Sequence, residues 1–335
     1  MKIDPQRPGG TARARGIVES LRDFLRQYAL LAALVLLIIV AAIIEPRFVS
    51  FQNIRNVLNQ VSVIGILACG MTFVIISGCI DLSVGSVISI TGIVVIKLVK
   101  RFGDFPGMAS ALLLGAFCGA AIGLVMARID GRLGESFMVT YGAQTALAGL
   151  AMIVSGGMFL MNDTSGIFSR IGKNANPIIV FLVLIAVCQA FITRTTLGRK
   201  IYFLGANPEA ARLSGIPVGR YRVLIFTLSG FIAALAGIVL PSRVAAANPT
   251  AGVGYELDAI AAVVVGGISM SGGSGTFWNT LMGVIVIGVL GNALNILNVT
   301  SYPQMIIKGI VIAAAVSLDI WNRSLSEGKE IKKNA

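Results

Sequence analysis

The stretch Tyr28–Ile44, YALLAALVLLIIVAAII, decides the fold class. It is continuously apolar and reaches the length of about 17 to 25 residues that one helical membrane crossing needs. A strand of a membrane barrel alternates polar and apolar residues, and this stretch does not. It also starts too late and runs too long for a cleaved signal peptide. We therefore predict a membrane-spanning α-helix that stays in place as an anchor.

The whole chain of 335 residues shares this character. Hydrophobic residues make up 56% of it, charged residues only 13%, and the mean hydropathy is +0.87. A soluble domain carries about 25% charged residues, so this chain has too few to cover a water-facing surface. We predict an all-α, polytopic integral membrane protein with about ten transmembrane helices. The predicted spans lie near residues 28–44, 61–77, 83–99, 108–126, 137–156, 177–193, 223–241, 257–271, 276–297 and 304–321.

The net charge of +12 is explained by topology. If both termini are cytoplasmic, 18 of the 27 Lys and Arg residues fall in cytoplasmic segments, namely residues 1–27, 127–136, 194–222 and 322–335. That bias is the positive-inside rule of membrane proteins. The sequence therefore predicts cytoplasmic termini, and the basic charge does not require nucleic acid as a partner.

Three parts of the chain follow from this topology. Residues 1–27 form a basic cytoplasmic tail that ends in a short interfacial helix, because apolar residues recur there at helical spacing. Residues 28–321 form the transmembrane domain, which includes the cytoplasmic loop 194–222. Residues 322–335 form a cytoplasmic C-terminal tail.

The sequence gives no sign of a metal or nucleotide site. The chain has no histidine and four cysteines, all in or beside apolar runs. No spacing resembles a zinc site, and buried cysteines behave as small hydrophobic residues. Gly266–Gly275, GGISMSGGSG, has no lysine and does not match a phosphate-binding loop. We predict no metal, no disulfide and no ATP site in this chain. The cysteines are Cys69, Cys79, Cys118 and Cys188.

Small residues recur every four positions in two of the predicted spans. This spacing lets helix backbones approach closely in lipid, and we expect it to serve packing within the chain rather than a subunit interface. The two sets are Gly115, Gly119 and Gly123, and Ser229, Ala233 and Gly237.

An acid interrupts the apolar sequence at Ile76–Ser86, ISGCIDLSVGS. Charges inside a membrane are costly and tend to be functional, but Asp81 stands where a helix begins. A carboxylate there accepts hydrogen bonds from free N–H groups and complements the helix dipole, and we favour this capping role. The alternatives are a polar lining of a translocation path and a proton or sodium site. Ser83, Glu256 and Asp258 are the other polar candidates for a path.

A similar glycine-rich interruption, VVVGGISMSGGSGT, precedes a later apolar span. Paired interruptions of this kind can mark a transport pathway built from repeats, although the two sequences share little identity.

The loop sequence 205–217, GANPEAARLSGIP, specifies both ends of a short helix over residues 208–214. Asn207 is a preferred N-cap, Pro208 suits the first helical position, and Gly215 ends the helix. A helix this short is marginal in water. We therefore expect it to dock, either on its own chain or on a partner.

This loop resembles the "EAA" loop of ATP-binding-cassette importer permeases, in which a short cytoplasmic helix fits a groove of the ATPase subunit. The likeness extends in matching order from about Pro46 to Asp319 and is strongest to monosaccharide permeases of the ribose, xylose and galactose type, ribose permeases above all. The stretches that carry it are GILACGMTFVIISGCIDLSVGS (65–86), LGRKIYFLGANPEAARLSGIPV (197–218), LSGFIAALAGIV (228–239) and PTAGVGYELDAIAAVVVGGISMSGGSGT (249–276).

The resemblance implies the permease subunit of an ATP-driven importer that moves ribose or a related monosaccharide across the bacterial cytoplasmic membrane. Such a chain has no catalytic residues and no cofactor, because partner ATPase subunits bind ATP and Mg. The other implied partners are an extracytoplasmic sugar-binding protein and a second permease copy. The ATPase-coupling helix would consist of Asn207, Pro208, Glu209, Ala210, Ala211, Leu213 and Gly215. Basic residues beside it would meet acidic ATPase surface, unless the topology rule alone explains them. They are Arg212, Arg220 and Arg222.

Two positions depart from the family pattern. Cys79 stands where a second glycine is usual, which makes the break bulkier, and Pro241 is unusual and would bend or end the seventh span.

Other functional classes stay open at this stage. A secondary transporter would use Asp81 or Glu256 to couple to ions, and a membrane scaffold would not transport at all. Nucleosides and branched-chain amino acids are the alternative substrates.

Overall fold

The computed structural model describes residues 34–300 and 302–317. The predicted N-terminal tail with its interfacial helix, the first residues of span 28–44, and the C-terminal tail lie outside the described residues. The described chain is mainly helical. Its helices are α1 Leu34–Ile44, α2 Phe51–Ile76, α3 Val84–Phe102, α4 Asp104–Arg128, α5 Leu133–Ser155, α6 Ile167–Ile171, α7 Asn176–Arg194, α8 Thr196–Ala206, α9 Pro208–Leu213, α10 Val218–Val244, α11 Tyr255–Val265, α12 Phe277–Ile296 and α13 Tyr302–Ser317.

Extended structure within the described ranges is limited to one small ladder. Strands β1 (Leu160–Met161) and β2 (Ala246–Ala247) are antiparallel, with Leu160 opposite Ala247. They tie the connection after α5 to the end of α10. A single 3-10 turn, Pro46–Val49, joins α1 to α2.

Six of the described helices are long and apolar enough to cross a membrane, namely α2, α4, α5, α7, α10 and α12. Helices α1 and α13 are shorter apolar helices within the same described ranges. Each of the ten predicted spans overlaps one described helix. The prediction of an all-α membrane protein is thereby confirmed, whereas the number of crossings and the side on which the termini lie stay predictions.

Helix α11 is shorter than its predicted span 257–271. Its 11 residues extend about 17 Å at 1.5 Å per residue, roughly half of the ~30 Å hydrocarbon core of a bilayer. The helix ends at Val265, and its C-cap Gly266 is the first residue of the glycine-rich interruption. The expectation that Pro241 could end the seventh span is also wrong, because α10 continues through this proline to Val244.

Small residues bring α4 and α10 into backbone contact. A Cβ atom on Gly119 would lie 2.1 Å from the carbonyl oxygen of Phe226. About three turns further along α10, a Cβ atom on Gly237 would lie 2.0 Å from Thr91 Oγ1 of α3. No larger residue fits at these contacts, so the predicted role of the small residues in packing within the chain is confirmed.

The centre of the bundle is formed by α2, α3 and α10, around which the other helices pack. Phe73 of α2 is buried and meets the rings of Phe191 and Phe277 edge to face, at centroid distances of 5.7 and 4.8 Å. Beside it, the hydroxyls of Thr72 and Thr280 share a 2.6 Å hydrogen bond. Helix α5 lies at the periphery, packed mainly on α3.

Two helix breaks meet at one end of the bundle. We call residues 77–83, between α2 and α3, the first break, and residues 266–276, between α11 and α12, the second break. The N–H of Gly273 donates to the carbonyl oxygen of Ile76 at 2.8 Å. Gly205 near the end of α8 is inserted beside both. Helices α8 and α9 therefore stand at the same end as the two breaks.

Candidate functional site

The short helix predicted in loop 194–222 is present as α9. The side chain of Asn207 accepts hydrogen bonds from the N–H groups of Glu209 and Ala210, both at 3.0 Å. Gly215 has φ +77°, the left-handed conformation that commonly follows a helix end. The predicted caps are therefore confirmed, and the helix ends at Leu213, one residue earlier than predicted.

Helix α9 has an inner and an outer face. Ala211 is fully buried against its own chain, whereas the side chain of Leu213 is 83% exposed. The sequence left two docking alternatives for this helix, its own chain or a partner, and the burial of Ala211 shows that it packs on its own chain. The exposed leucine at the end of the helix gives the same element an apolar outer surface.

Two arginines beside α9 bind a single aspartate that the sequence analysis did not identify. Arg212 Nη2 lies 2.5 Å from Asp130 Oδ2, and Arg222 Nη1 donates to Asp130 Oδ1. Asp130 lies between α4 and α5, outside the membrane-spanning segments. The hydrogen bond from Arg212, together with Arg222 and both positive charges, lowers the pKa of its carboxyl below the usual value.

Contact with an acidic partner surface was one of the two alternatives for Arg212, Arg220 and Arg222, and this pairing excludes it for Arg222. Arg222 is 3% exposed, because it lies under the loop between α4 and α5, so it presents no surface to another protein. Arg212 is half exposed and Arg220 exposed. Segment 127–136 holds two arginines and two acids, Asp130 and Glu135. An acid outside the predicted spans was the signal in the sequence that could have identified Asp130.

Asp81 in the first break is 1% exposed and hydrogen-bonded on both oxygens. Oδ1 accepts from the N–H and the hydroxyl of Ser83, at 3.0 and 2.6 Å, and Oδ2 accepts from the hydroxyl of Ser229 at 2.9 Å. Ser83 directly precedes the first residue of α3. The carboxylate thus orders the turn into α3 and ties it to α10, instead of capping the first helical turn.

Hydroxyl groups of α5 accept hydrogen bonds from two N–H groups of the first break. Ser136 Oγ accepts from the N–H of Ile80, and Thr140 Oγ1 accepts from the N–H of Leu82, both at 3.0 Å. The two hydroxyls are four residues apart, so they lie on one face of α5. That spacing was visible in the sequence, but the partner segment was not.

Glu256, at the start of α11, is 5% exposed. Its Oε1 accepts from Gln144 Nε2 at 3.0 Å and from the N–H of Gly254 at 3.2 Å. Its Oε2 lies against Gly85, where an added Cβ would approach to 2.1 Å, and has no hydrogen-bond partner among the described residues. Gly85 is two residues after Ser83, so the structure brings two of the predicted path residues, Ser83 and Glu256, to the start of α3.

Asp258 is not part of that group. Its Oδ2 accepts from Lys308 Nζ of α13 at 2.8 Å. An acid and a base in two otherwise apolar runs are an expected pair, because each is costly alone in a membrane. The pairing ties α11 to α13.

Across residues 34–300 and 302–317, no cluster of three or more His, Cys, Asp or Glu side chains could hold a metal ion. The site consists of a capped helix with an exposed apolar end, ion-paired to the bundle, beside two closely packed helix breaks.

A comparison with protein families identifies the class to which this architecture belongs. The family described as "Branched-chain amino acid transport system / permease component" matches residues 53–316, most of the chain. The chain belongs to this family of permeases. No solved structure matches it.

Individual relatives of the permease carry the names of sugar transport proteins. The ribose import permease protein RbsC of Haemophilus influenzae is 42% identical over 305 residues, 88% of this chain and 94% of the relative. RbsC of Bacillus subtilis is 38% identical over 318 residues, 91% of this chain and 94% of the relative. The L-arabinose transport system permease protein AraH of Escherichia coli is 36% identical over 304 residues, 89% and 91% of the two chains.

The resemblance to monosaccharide permeases that the sequence motifs indicated is thus confirmed. With its apolar helices of membrane-spanning length, the permease is a multi-pass protein of the cytoplasmic membrane.

Proposed function

We propose that this permease is the membrane-spanning subunit of an ATP-driven importer for ribose or a related monosaccharide. The observation that carries the proposal is its 36 to 42% identity, over at least 88% of the chain, to permeases whose names state ribose or L-arabinose. The family description names branched-chain amino acids, and nucleosides were a further alternative. The individual relatives favour the sugar.

The proposed topology has about ten crossings and both termini in the cytoplasm. It supplies the domain order of a cytoplasmic tail (1–27), a permease domain (28–321) and a second tail (322–335). The distribution of Lys and Arg supports it. It also puts loop 194–222, with α8 and α9, on the cytoplasmic side together with the two helix breaks.

In this proposal α9 is the coupling helix that receives the movement of an ATPase subunit. Its capped ends make it rigid, Ala211 anchors it, and the exposed Leu213 is the contact for a groove in the partner. An apolar side chain at such a contact gains free energy when it is removed from water, about 25 cal/mol per Å². Glu209 and Gly215 complete the element.

The proposed assembly contains two ATPase subunits, which bind ATP and Mg, a sugar-binding protein on the opposite side, and a second copy of this permease. The permease itself takes no cofactor and performs no covalent step. Asp81, Ser83, Glu256 and Asp258 remain candidates for the path of the sugar, and the contact of Glu256 with Gly85 beside Ser83 supports the first part of α3 as its wall.

The test is sugar uptake into proteoliposomes that hold the complete complex. We expect ATP-dependent uptake of radiolabelled ribose that requires the ATPase and the binding protein. Glu209→Ala and Leu213→Asp should lower uptake more strongly than ATP hydrolysis, at least ten-fold for the aspartate, because a charge is placed in an apolar contact. Leu213→Met is the matched control and should keep wild-type uptake.

Two results would overturn the proposal. If the permease alone accumulates solute under a proton or sodium gradient, it is a secondary transporter. If Glu209→Ala and Leu213→Asp both keep full uptake, α9 is not the coupling element.

A further inference from the structure

Asp130 joins three helices through a single carboxylate. One oxygen binds Arg212 of α9 and the other binds Arg222 of α10, while Asp130 itself follows Ile129, the C-cap of α4. The two arginines differ in exposure: the Arg212 side chain is 50% exposed and that of Arg222 only 4%. The carboxylate therefore bridges an accessible cation and a buried one.

The backbone of Asp130 is fixed where it leaves α4. Asp130 has φ +52°, in the left-handed region that glycine normally occupies after a helix. Among other residues, Asp and Asn adopt this region most readily. The N–H of the next residue, Gly131, donates to the carbonyl oxygen of Met126 at 3.2 Å. A carboxylate is thus held at a position where a glycine would satisfy the backbone but bind neither arginine.

Helix α10 connects the Asp130 ion pair to the centre of the bundle. Ser229 lies seven residues further along α10, two turns on the same face, and its hydroxyl donates to Asp81 of the first break. Helix α10 is thereby connected through Arg222 to Asp130 at its start and through Ser229 to the first break.

We propose that Asp130 is a positioning residue that locks the coupling helix α9 to α10, so that movement imposed on α9 is carried into the membrane bundle. The proposal rests on the coupling role of α9 proposed above. The ion pair of Asp130 with Arg222 stays formed, since its separation would leave the buried charge of Arg222 without a partner, which is strongly unfavourable. The exposed ion pair of Arg212 with Asp130 makes α9 and α10 move together.

The decisive variant is Arg212→Gln, which removes the exposed ion pair and leaves the buried pair intact. In the reconstituted complex we expect the amount of sugar transported per ATP hydrolysed to fall at least three-fold, with the ATPase still bound and the melting temperature of the permease unchanged. The control is Asp163→Asn, which removes another exposed ion pair, that of Asp163 with Lys100 (2.8 Å), at a distance from α9. It should keep the wild-type ratio.

Asp130→Asn is the second variant and should lower the same ratio further, because both arginines lose their charged partner. A purely structural role of Asp130 would lower the melting temperature and the amount of complex but leave the ratio of sugar to ATP unchanged. That result, or a wild-type ratio in Arg212→Gln, would overturn the proposal. So would loss of ATPase binding in Arg212→Gln, which would assign Arg212 to docking.

The two proposals fail differently. If Leu213→Asp uncouples transport and Arg212→Gln does not, α9 is the coupling helix and the lock is wrong. If neither variant changes uptake, the coupling role itself is wrong.

Discussion

The first break and the second break lie against each other, but they are held in different ways. The first break is stabilised by hydrogen bonds of side chains, namely Asp81 with its serine partners and the hydroxyls of Ser136 and Thr140. In the second break, four glycines have positive φ angles, at residues 267, 272, 273 and 275. Its contacts to the first break are made by backbone, with Gly272 and Gly273 packed against residues 76–78 and the end of α8.

The difference follows from the need to satisfy every backbone polar group away from water. In the first break, side-chain oxygens accept from the N–H groups of Ile80, Leu82 and Ser83. In the second break, Gly272 and Gly273 pack so closely on the backbone of Gly78 and Ala206 that a larger residue does not fit. We therefore expect the first break to tolerate a change that keeps hydrogen bonding, and the contact between the breaks to tolerate no increase in size.

Gly205→Val should have the largest effect, because it enlarges the contact between the two breaks. A Cβ atom at this position would lie 1.8 Å from the carbonyl oxygen of Ile76 and 2.6 Å from the N–H of Gly273, and neither backbone atom can move aside cheaply. We expect a loss of about 3 kcal/mol or more, seen as a lower melting temperature and low membrane levels. Gly142→Val, with nothing within 4 Å of the added Cβ, is the control. Near-normal levels of the Gly205 variant would contradict the steric account.

Two substitutions of Asp81 should distinguish the contribution of its hydrogen bonds from that of its negative charge. Asp81→Asn keeps an oxygen for Ser83 and offers an amide to the Ser229 hydroxyl, so we expect about 1 kcal/mol of destabilisation and appreciable uptake. Asp81→Leu leaves buried polar groups unpaired and should destabilise by about 3 kcal/mol. Denaturation midpoints and uptake at matched membrane levels measure both. Loss of uptake in the asparagine variant at normal levels would show that the charge itself is required.

Thr140→Val should have the smallest effect of the three. The substitution keeps the shape of the side chain but removes the acceptor for the N–H of Leu82, for a loss of about 1 kcal/mol. Thr145→Val, on the exposed face of the same helix, where the hydroxyl bonds only to its own backbone at Tyr141, is the matched control. Equal stability of the two variants would mean that the hydroxyl of Thr140 does not hold the first break.

Much of the local structure was predictable because its causes lie close together in the sequence. The ends of α9 depend on Asn207 and Gly215, which act within one helical turn of the residues that they cap. The same holds for the glycine-lined faces of α4 and α10, where residue spacing alone fixes which side chains share a face.

The partners of the polar residues were not predictable. Asp81 and Ser229 are 148 positions apart, and Arg222 and Asp130 are 92 apart, and neither residue type nor spacing relates them. The interpretation of Asp81 as a helix cap came closest, since it placed the carboxylate at the start of α3. It missed the hydrogen bond from Ser229 of α10, because the residues near Asp81 in the sequence do not indicate which helix packs against it.

The sequence by itself determined that this chain is a helical membrane protein, where its apolar runs lie, and that a short capped helix stands in its basic loop. These are consequences of hydropathy and local hydrogen bonding, which act over a few residues. Only the tertiary structure decided that α11 is half a crossing, that the two breaks touch, and that Asp130 binds two arginines. Those features depend on which surfaces meet when the helices pack, and packing joins residues that the chain keeps far apart.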